Sequence, residues 1–592
     1  MPTTTRNRLI LVSSMVVLVA LAIVGRLYQL QVIRCEGLSR RAAEQHSSKL
    51  VVPAMRGTIV DRNGKPLALS TETRSLYAHP QRVGDPERAA ELLGPLLDRP
   101  RAAILRDLRS DKSFVFLARF LEPDVADRIA ALGLPMNGAE PFGFEHEPRR
   151  VYPRKELAVH VVGFATIDGD GVEGIERSFD ADLKGDPRIY LLMHDAHRRG
   201  PRELIGEPRK KPSDVVLTID VVLQHVVERE LARAMRETRA RAGSVILLDA
   251  PSGEVLALAN RPTTDANEFG QATHAARRNR ALVDQYEPGS TFKVVPLAAA
   301  IELNRVGARD RIYCEQGVYR RRGRTIRDLS RNGTLTPAEI LSKSSNIGMA
   351  KIAKKMTPEE MSRVINRFGF GAKTGVELPG EEQGLFEDPS RWSGYSQESI
   401  SFGQEIGVTA MQMAAAISVF ANDGVMVPPR IVLGKRGPDG RLRPMPPTAT
   451  RRVVSERTAS TVARMLEGVV DHGTGRRAAV AGYRVAGKSG TAQRAVDGVY
   501  STSAVTASFG GFAPADDPRL VLLVVLDTPR IEDNGGGQAA APVFARIMAE
   551  SLSYLRVPGD DPERQATLSL EHDQPALPAR HAAAAAMGKD AG

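Results

Sequence analysis

Seventeen residues from Leu9 to Gly25, LILVSSMVVLVALAIVG, carry no charge and follow Arg6 and Arg8. That is the lower limit of the ~17–25 residues needed for a membrane-spanning helix. Ala20-Leu21-Ala22 fits a leader-cleavage pattern, but Ile23 and Val24 continue the apolar run without a polar break. An uncleaved anchor over 9–25 is therefore expected. Arginines flank both sides of the span (Arg26, Arg34, Arg40 and Arg41 follow it), so charge alone does not orient it.

Beyond the span, apolar spacing changes character several times. Residues 26–205 are mixed, with short segments broken by Pro and Gly; Pro86–Leu134, rich in Ala, Leu and Arg at helical spacing, reads as a solvated helical insert. GEPRKKPSD (206–214) has the composition of a linker. A helix is expected from Val221 to Arg239. Strands Ser244–Asp249 and Glu254–Ala259 follow, joined through Pro251-Ser252-Gly253 as a hairpin. Ala504–Phe512 and Leu520–Leu526 are β-rich again, split by PADDP. Phe544, Met548, Leu552 and Leu555 give a closing helix over 541–555 one apolar face. Strands at both ends with helices between them imply one domain, 206–557 with its linker, whose sheet is completed by distant segments. The last residues, 558–592, hold few large apolars and read as a disordered tail.

Composition changes this picture little. A net charge of +11 suits work beside anionic surfaces, but no nucleic-acid-binding signature accompanies it. Two cysteines, Cys35 and Cys314, exclude a disulfide scaffold and a Cys-rich metal site; two free thiols are expected.

The candidate chemistry lies in three short motifs. In EPGSTFK (287–293), Pro288-Gly289 marks a turn before an apolar helical run, which puts Ser290 at a helix start and Lys293 one turn on. A hydroxyl needs a base to become a nucleophile, and a desolvated lysine near other cations can be that base. Pro296 within the run conflicts with an ordinary helix interior, as functional sites often do. In Ser344-Ser345-Asn346, Ser344 could pass a proton and the Asn346 amide could both donate and accept toward an amide; an N-cap cluster is the plainer reading. In GKSGTAQ (487–493), Lys488 is a fixed cation, Ser489 and Thr491 offer hydroxyls, and Gly490 permits close backbone approach at a strand edge. Each alone is weak. None of the eleven histidines falls in the three motifs, so a Ser-His-Asp arrangement has no support, and no metal or cofactor is called for.

Taken in order, Ser290, Ser344 and Lys488, at intervals of 54 and 144 residues, form the Ser-x-x-Lys, Ser-x-Asn, Lys-Ser-Gly set of penicillin-binding proteins and β-lactamases, which the chain resembles. RGTIVDRNG (56–64), RVYP (150–153) and GVEGIE (171–176) look like landmarks of the class B, high-molecular-weight members. LTID (217–220) with Gln224, and Val408-Thr409 with Gln412, are similar to landmarks of their transpeptidase domain. The resemblance covers about 9–557, and no stretch before the mixed region 26–205 is long enough for the glycosyltransferase domain of class A. LPGEEQGLFEDPSRW (378–392) and GGGQAAAPVF (535–544) look most like the cell-division enzymes, although Gly403-Gln404-Glu405-Ile406 departs from the tyrosine-bearing form common among them.

The resemblance implies an α+β protein: a transmembrane helix, an elongated dimerisation-like pedestal (26–205) and a transpeptidase domain with an antiparallel sheet covered by helices. It implies a catalytic domain outside the cytoplasmic membrane, with residues 1–8 on the cytoplasmic side. The reaction would be a D,D-transpeptidation at the division septum, through a Ser290 acyl-enzyme with release of D-alanine. By the same resemblance Lys293 is the base, Ser344 shuttles protons, and Asn346 aligns the substrate amide. Lys488, Ser489 and Thr491 hold the substrate carboxylate, with Gly490 between them, and the backbone N–H groups of Ser290 and Thr491 form an oxyanion hole. Implied partners are peptidoglycan stem peptides or lipid-linked precursor strands, β-lactams as covalent inhibitors, a membrane glycosyltransferase and other divisome proteins. Alternatives are an elongation-type enzyme or mainly a scaffold of wall synthesis.

Overall fold

The structure, a computed structural model, describes residues 3–33, 47–52, 54–136, 140–193, 202–204, 210–321, 323–496 and 499–561. Cys35 and almost all of the expected tail lie outside these residues. The apolar run lies in one helix, α1 (Thr3–Tyr28), which a short π-helical turn extends to Ile33. From Ile10 to Ile33 it is long and apolar enough to cross a bilayer, and none of it is buried.

The remainder forms two compact units. One takes in 70–150 with 184–213 and the N-terminal 57 residues. Within it, helices Pro86–Leu97, Arg101–Leu108 and Pro123–Ala130 bury Ala90, Leu93, Ile104 and Ile129 together with Leu76 and Leu117 of an antiparallel strand pair. The segment 86–134 is thus not a solvated insert. It has a core of its own and contains a strand, Val115–Leu121, that the helical spacing on both sides of it obscures.

The second unit is 58–69, 151–183 and 214 onward. Here RGTIVDRNG has a physical reason. The Asp61 carboxylate is fully buried and accepts from the N–H groups of Asn63 and Lys65 at 2.9 and 2.7 Å, closing a turn, and from Val221 N at 3.2 Å. It thereby meets the start of α2 (Val221–Thr238), whose N-cap, Asp220, accepts from Val222 and Leu223 and receives the Asn63 amide. The strands β1 (Ala242–Asp249) and β2 (Val255–Arg261) form the expected hairpin, with Ile246 opposite Leu258.

Helices α3 (Val294–Glu302), α4 (Asn346–Ala353), α5 (Ala410–Ala421) and α6 (Glu456–Asp471) follow. Strands β3 (Ala486–Val496), β4 (Val499–Ala513) and β5 (Leu520–Asp527), then helix α7 (Ala541–Tyr554), complete the unit. The five strands make an antiparallel sheet in the order β2-β1-β5-β4-β3.

Alternate residues of these strands enter different cores. Ile246, Leu248, Val521 and Leu523 join α3–α6 on one face, while Val245, Leu247, Leu522 and Val524 join α2 and α7 on the other. Burial on both faces explains why the strands read as near-continuous apolar runs. The predicted face of α7 is correct: Phe544, Met548 and Leu552 are fully buried, and Leu555 packs at its margin. Strand β3 is an edge of this sheet and carries the third motif inside it.

Candidate active site

Ser290 and Lys293 lie in a 3₁₀ turn, Gly289–Lys293, rather than in the α-helix expected. With three residues per turn, side chains at i and i+3 eclipse one another, so the spacing still places both on one face. The α-helix begins only at Val294, which makes Pro296 its third residue, in the first turn, where a missing N–H leaves no intrahelical bond unmade. The conflict seen in the sequence is thereby resolved. The turn is seated directly against β3. A methyl group added at Gly490 would lie 2.7 Å from Ser508 Oγ, 2.8 Å from Thr291 Cγ2 and 2.9 Å from the Pro288 carbonyl. Gly490 thus admits the protein's own serine turn.

The Lys293 side chain is fully buried and reaches the second motif. Its Nζ donates to the Ser344 carbonyl at 2.6 Å, to Asn346 Oδ1 at 2.7 Å and to Ser344 Oγ at 3.2 Å. Burial pushes its pKa well below the usual lysine value, repulsion from Lys488 adds to this, and the Asp328 carboxylate opposes it. Each of the first two effects favours the neutral amine, the form that can accept a proton.

Ser344 adopts a left-handed conformation, φ 57°, which turns both its carbonyl and its hydroxyl toward Lys293. For a residue with a Cβ this costs roughly 1–3 kcal/mol and must be held by its surroundings. The holding group is one the sequence did not reveal. Asp328 accepts from Ser345 Oγ at 2.6 Å, Asn346 N at 2.7 Å and Ile347 N at 3.0 Å, covering the free N–H groups at the start of α4. The N-cap itself is Ser345, which accepts from Gly348 N. The capping reading and the chemical reading of this motif thus fall on adjacent serines. The Asn346 amide is more engaged than expected: Oδ1 accepts from Lys293, and Nδ2 donates to the Arg327 carbonyl at 3.1 Å, leaving one N–H hydrogen unengaged among the described residues.

On β3, Lys488 is buried, and that burial lowers its pKa to about 7, so it is a titrating group rather than a permanent cation. Its Nζ donates to the Ser489 carbonyl at 2.9 Å and, more weakly, to Ser489 Oγ and Thr474 Oγ1, both at 3.4 Å. Thr474 and Ser489 hydroxyls lie 2.8 Å apart. Thr474, in DHGTG after α6, escaped the sequence reading because a single Thr in a Gly-rich turn carries no spacing signal; only the fold brings it to β3. Thr491 is exposed, and its Oγ1 accepts from Gly536 N at 3.1 Å. A methyl at Gly536 would approach the Gly490 and Ser508 carbonyls to 2.3 and 2.2 Å, which gives the GGG run a packing reason. All eight candidate residues thus belong to three segments packed on one another: the 3₁₀ turn, the start of α4, and the edge strand.

Two family models match the chain, the penicillin-binding protein transpeptidase domain over residues 243–549 and the penicillin-binding protein dimerisation domain over 51–217. The probable peptidoglycan D,D-transpeptidase PbpC of Pseudomonas aeruginosa is 36% identical over 94% of this chain and 96% of its own length. The peptidoglycan D,D-transpeptidase FtsI of Escherichia coli is 35% identical over 92% and 91%. Among solved structures, penicillin-binding protein 3 of Mycobacterium tuberculosis in complex with aztreonam superposes with a TM-score of 0.68 and 31% identity, covering 87% of this chain and 99% of that one. With a buried Lys-Ser-Asn cluster beside a serine turn and matches of this extent, the chain belongs to the class B penicillin-binding transpeptidases.

Proposed function

We infer that this enzyme cross-links peptidoglycan stem peptides through an acyl-enzyme on Ser290, and that it does so at the division septum. Lys293, buried and hydrogen-bonded to Ser344 and Asn346, is the observation that carries the chemistry. Ser290 Oγ attacks the carbonyl of the penultimate D-Ala while Lys293 Nζ takes its proton. The tetrahedral oxyanion rests on the backbone N–H groups of Ser290 and Thr491. As the C–N bond breaks, the proton passes through Ser344 to the departing D-alanine amine. The amine of a second stem then attacks the ester, gives its proton back along the same path and frees Ser290 Oγ. Asn346 directs its remaining N–H at the donor amide, and Lys488, Ser489 and Thr491 face the terminal carboxylate. β-Lactams enter the same path and stay on Ser290.

The septal assignment rests on LPGEEQGLFEDPSRW. This run is a built element: Trp392 Nε1 donates to the Glu387 carbonyl at 2.9 Å, its ring meets Phe386 edge-on at 6.0 Å, and Leu385 bridges to Gly407. The helix α1 holds the enzyme in the cytoplasmic membrane with the catalytic unit outside it. A membrane glycosyltransferase and other division proteins are its partners there. Depletion in a rod-shaped host is the test: filaments without septa are expected, whereas swelling into round cells would assign the enzyme to elongation.

A further inference from the structure

At one end of the catalytic sheet, a cavity of about 400 Å³ opens among the first residues of β1, Thr506 of β4, Val525 and Asp527 of β5, and the segment 274–286. Its size is that of a small-molecule pocket. Four guanidiniums line it: Arg241, Arg278, Arg280 and Arg494. They face two carboxylates. Asp527 accepts from Arg241 Nε at 2.9 Å and Arg494 Nη1 at 2.6 Å, and Asp284 accepts from Arg278 and from Arg280 Nη1 at 2.7 Å. Each acid is shared by two arginines, so the wall keeps two positive charges in excess, with the exposed His274 beside them. Behind this wall the Tyr286 hydroxyl and Arg280 Nε are sealed from solvent, with no hydrogen-bond partner among the described residues. What an oxyanion would meet in the cavity is the excess guanidinium charge of the wall.

We propose that this cavity is a binding site for a compact dianion, either a phosphate group or a pair of neighbouring carboxylates. Guanidinium forks match both kinds of group geometrically. The site is separate from the transpeptidase chemistry, yet it touches both halves of that machinery along the chain. Tyr286 lies four residues before Ser290 and pairs through its backbone with Val408, and Arg494 lies three residues after Thr491 on β3. A bound anion would tie the start of the serine turn to the far end of the edge strand.

The test is calorimetric titration of the full chain in detergent, at low and fixed ionic strength, with inorganic phosphate, diphosphate and glutarate in turn. Saturable binding of phosphate or diphosphate, weakened at least tenfold in Arg278→Gln and Arg494→Gln, supports the site and identifies the phosphate class. The same behaviour with glutarate alone supports it and identifies the carboxylate class. Covalent labelling by a fluorescent penicillin reports whether each variant is folded, and Arg278→Gln, at a side chain 40% exposed, serves if Arg494→Gln is not. No saturable binding of any probe, or binding that the folded variants leave unchanged, would overturn the proposal.

Discussion

The proposed reaction asks two lysines in one site for opposite protonation states, and burial serves one while opposing the other. Lys293 must be neutral to take a proton, and desolvation with repulsion from Lys488 drives it there. Lys293→Met should lower the acylation rate about 10²–10⁴-fold, the range of general-base catalysis, and Ser290→Ala should abolish covalent penicillin labelling with the thermal transition kept. Label retained on the Ser290 variant would remove it as the nucleophile. Lys488 must be charged to hold a carboxylate, and burial puts its pKa near 7. A carboxylate bound beside it favours the ammonium, so the unliganded enzyme must take up a proton above pH 7 and affinity falls there. Second-order acylation by a carboxylate-bearing β-lactam should therefore decline above about pH 7, a limb that Lys488→Arg removes because arginine stays charged. In folding the sign is reversed. Between pH 7 and the unfolded value near 10.4 only the unfolded chain holds this proton, so the Lys488 contribution to stability rises with pH across that window.

At the level of elements, the site depends on how closely the serine turn, the start of α4 and β3 approach one another. Gly490→Ala forces a methyl between Pro288, Thr291 and Ser508, an overpacking of about 1–3 kcal/mol. We expect a lowered Tm together with slower penicillin acylation; an unchanged acylation rate would show that the turn can shift without harm. These elements were unequally legible in the sequence. The hairpin β1–β2 and the apolar face of α7 follow from local periodicity, and the eight candidate residues from motif order. Asp328 and Thr474 did not emerge, since an isolated acid or hydroxyl acquires meaning only when folding brings it to a helix start or a strand. The 3₁₀ form of the serine turn was hidden too, because Ser-x-x-Lys spacing fits either helix type. Strand Val115–Leu121 was overlooked between stronger helical signals.

For the whole molecule, linker-like composition predicted a change of domain near 206, while compactness groups 58–69 and 151–183 with the residues from 214 on. The reason is visible in Asp61, whose carboxylate accepts from the start of α2 across 160 residues of sequence. Long-range polar contacts of that kind leave no periodic trace. The N-terminal helix is a clearer matter: 24 apolar-rich residues from Ile10 to Ile33 suffice to span a bilayer. Mass spectrometry of the mature protein should recover peptides N-terminal to Ala22, and a chain beginning at Ile23 would reveal a cleaved leader.

The close seating of Gly490 and Gly536 bears on how this enzyme can escape a drug. Carbonyls or side-chain atoms stand within 3 Å of any Cβ built at either position. A side chain at either position must displace its neighbours, so changes in these backbone walls disturb the site itself, and inherited resistance has few routes through them. Selection is left with the side chains that border the cleft without holding it, such as the fully exposed Leu329 next to Asp328. Sequencing β-lactam-tolerant isolates should find changes crowded at such rim positions and both glycines untouched.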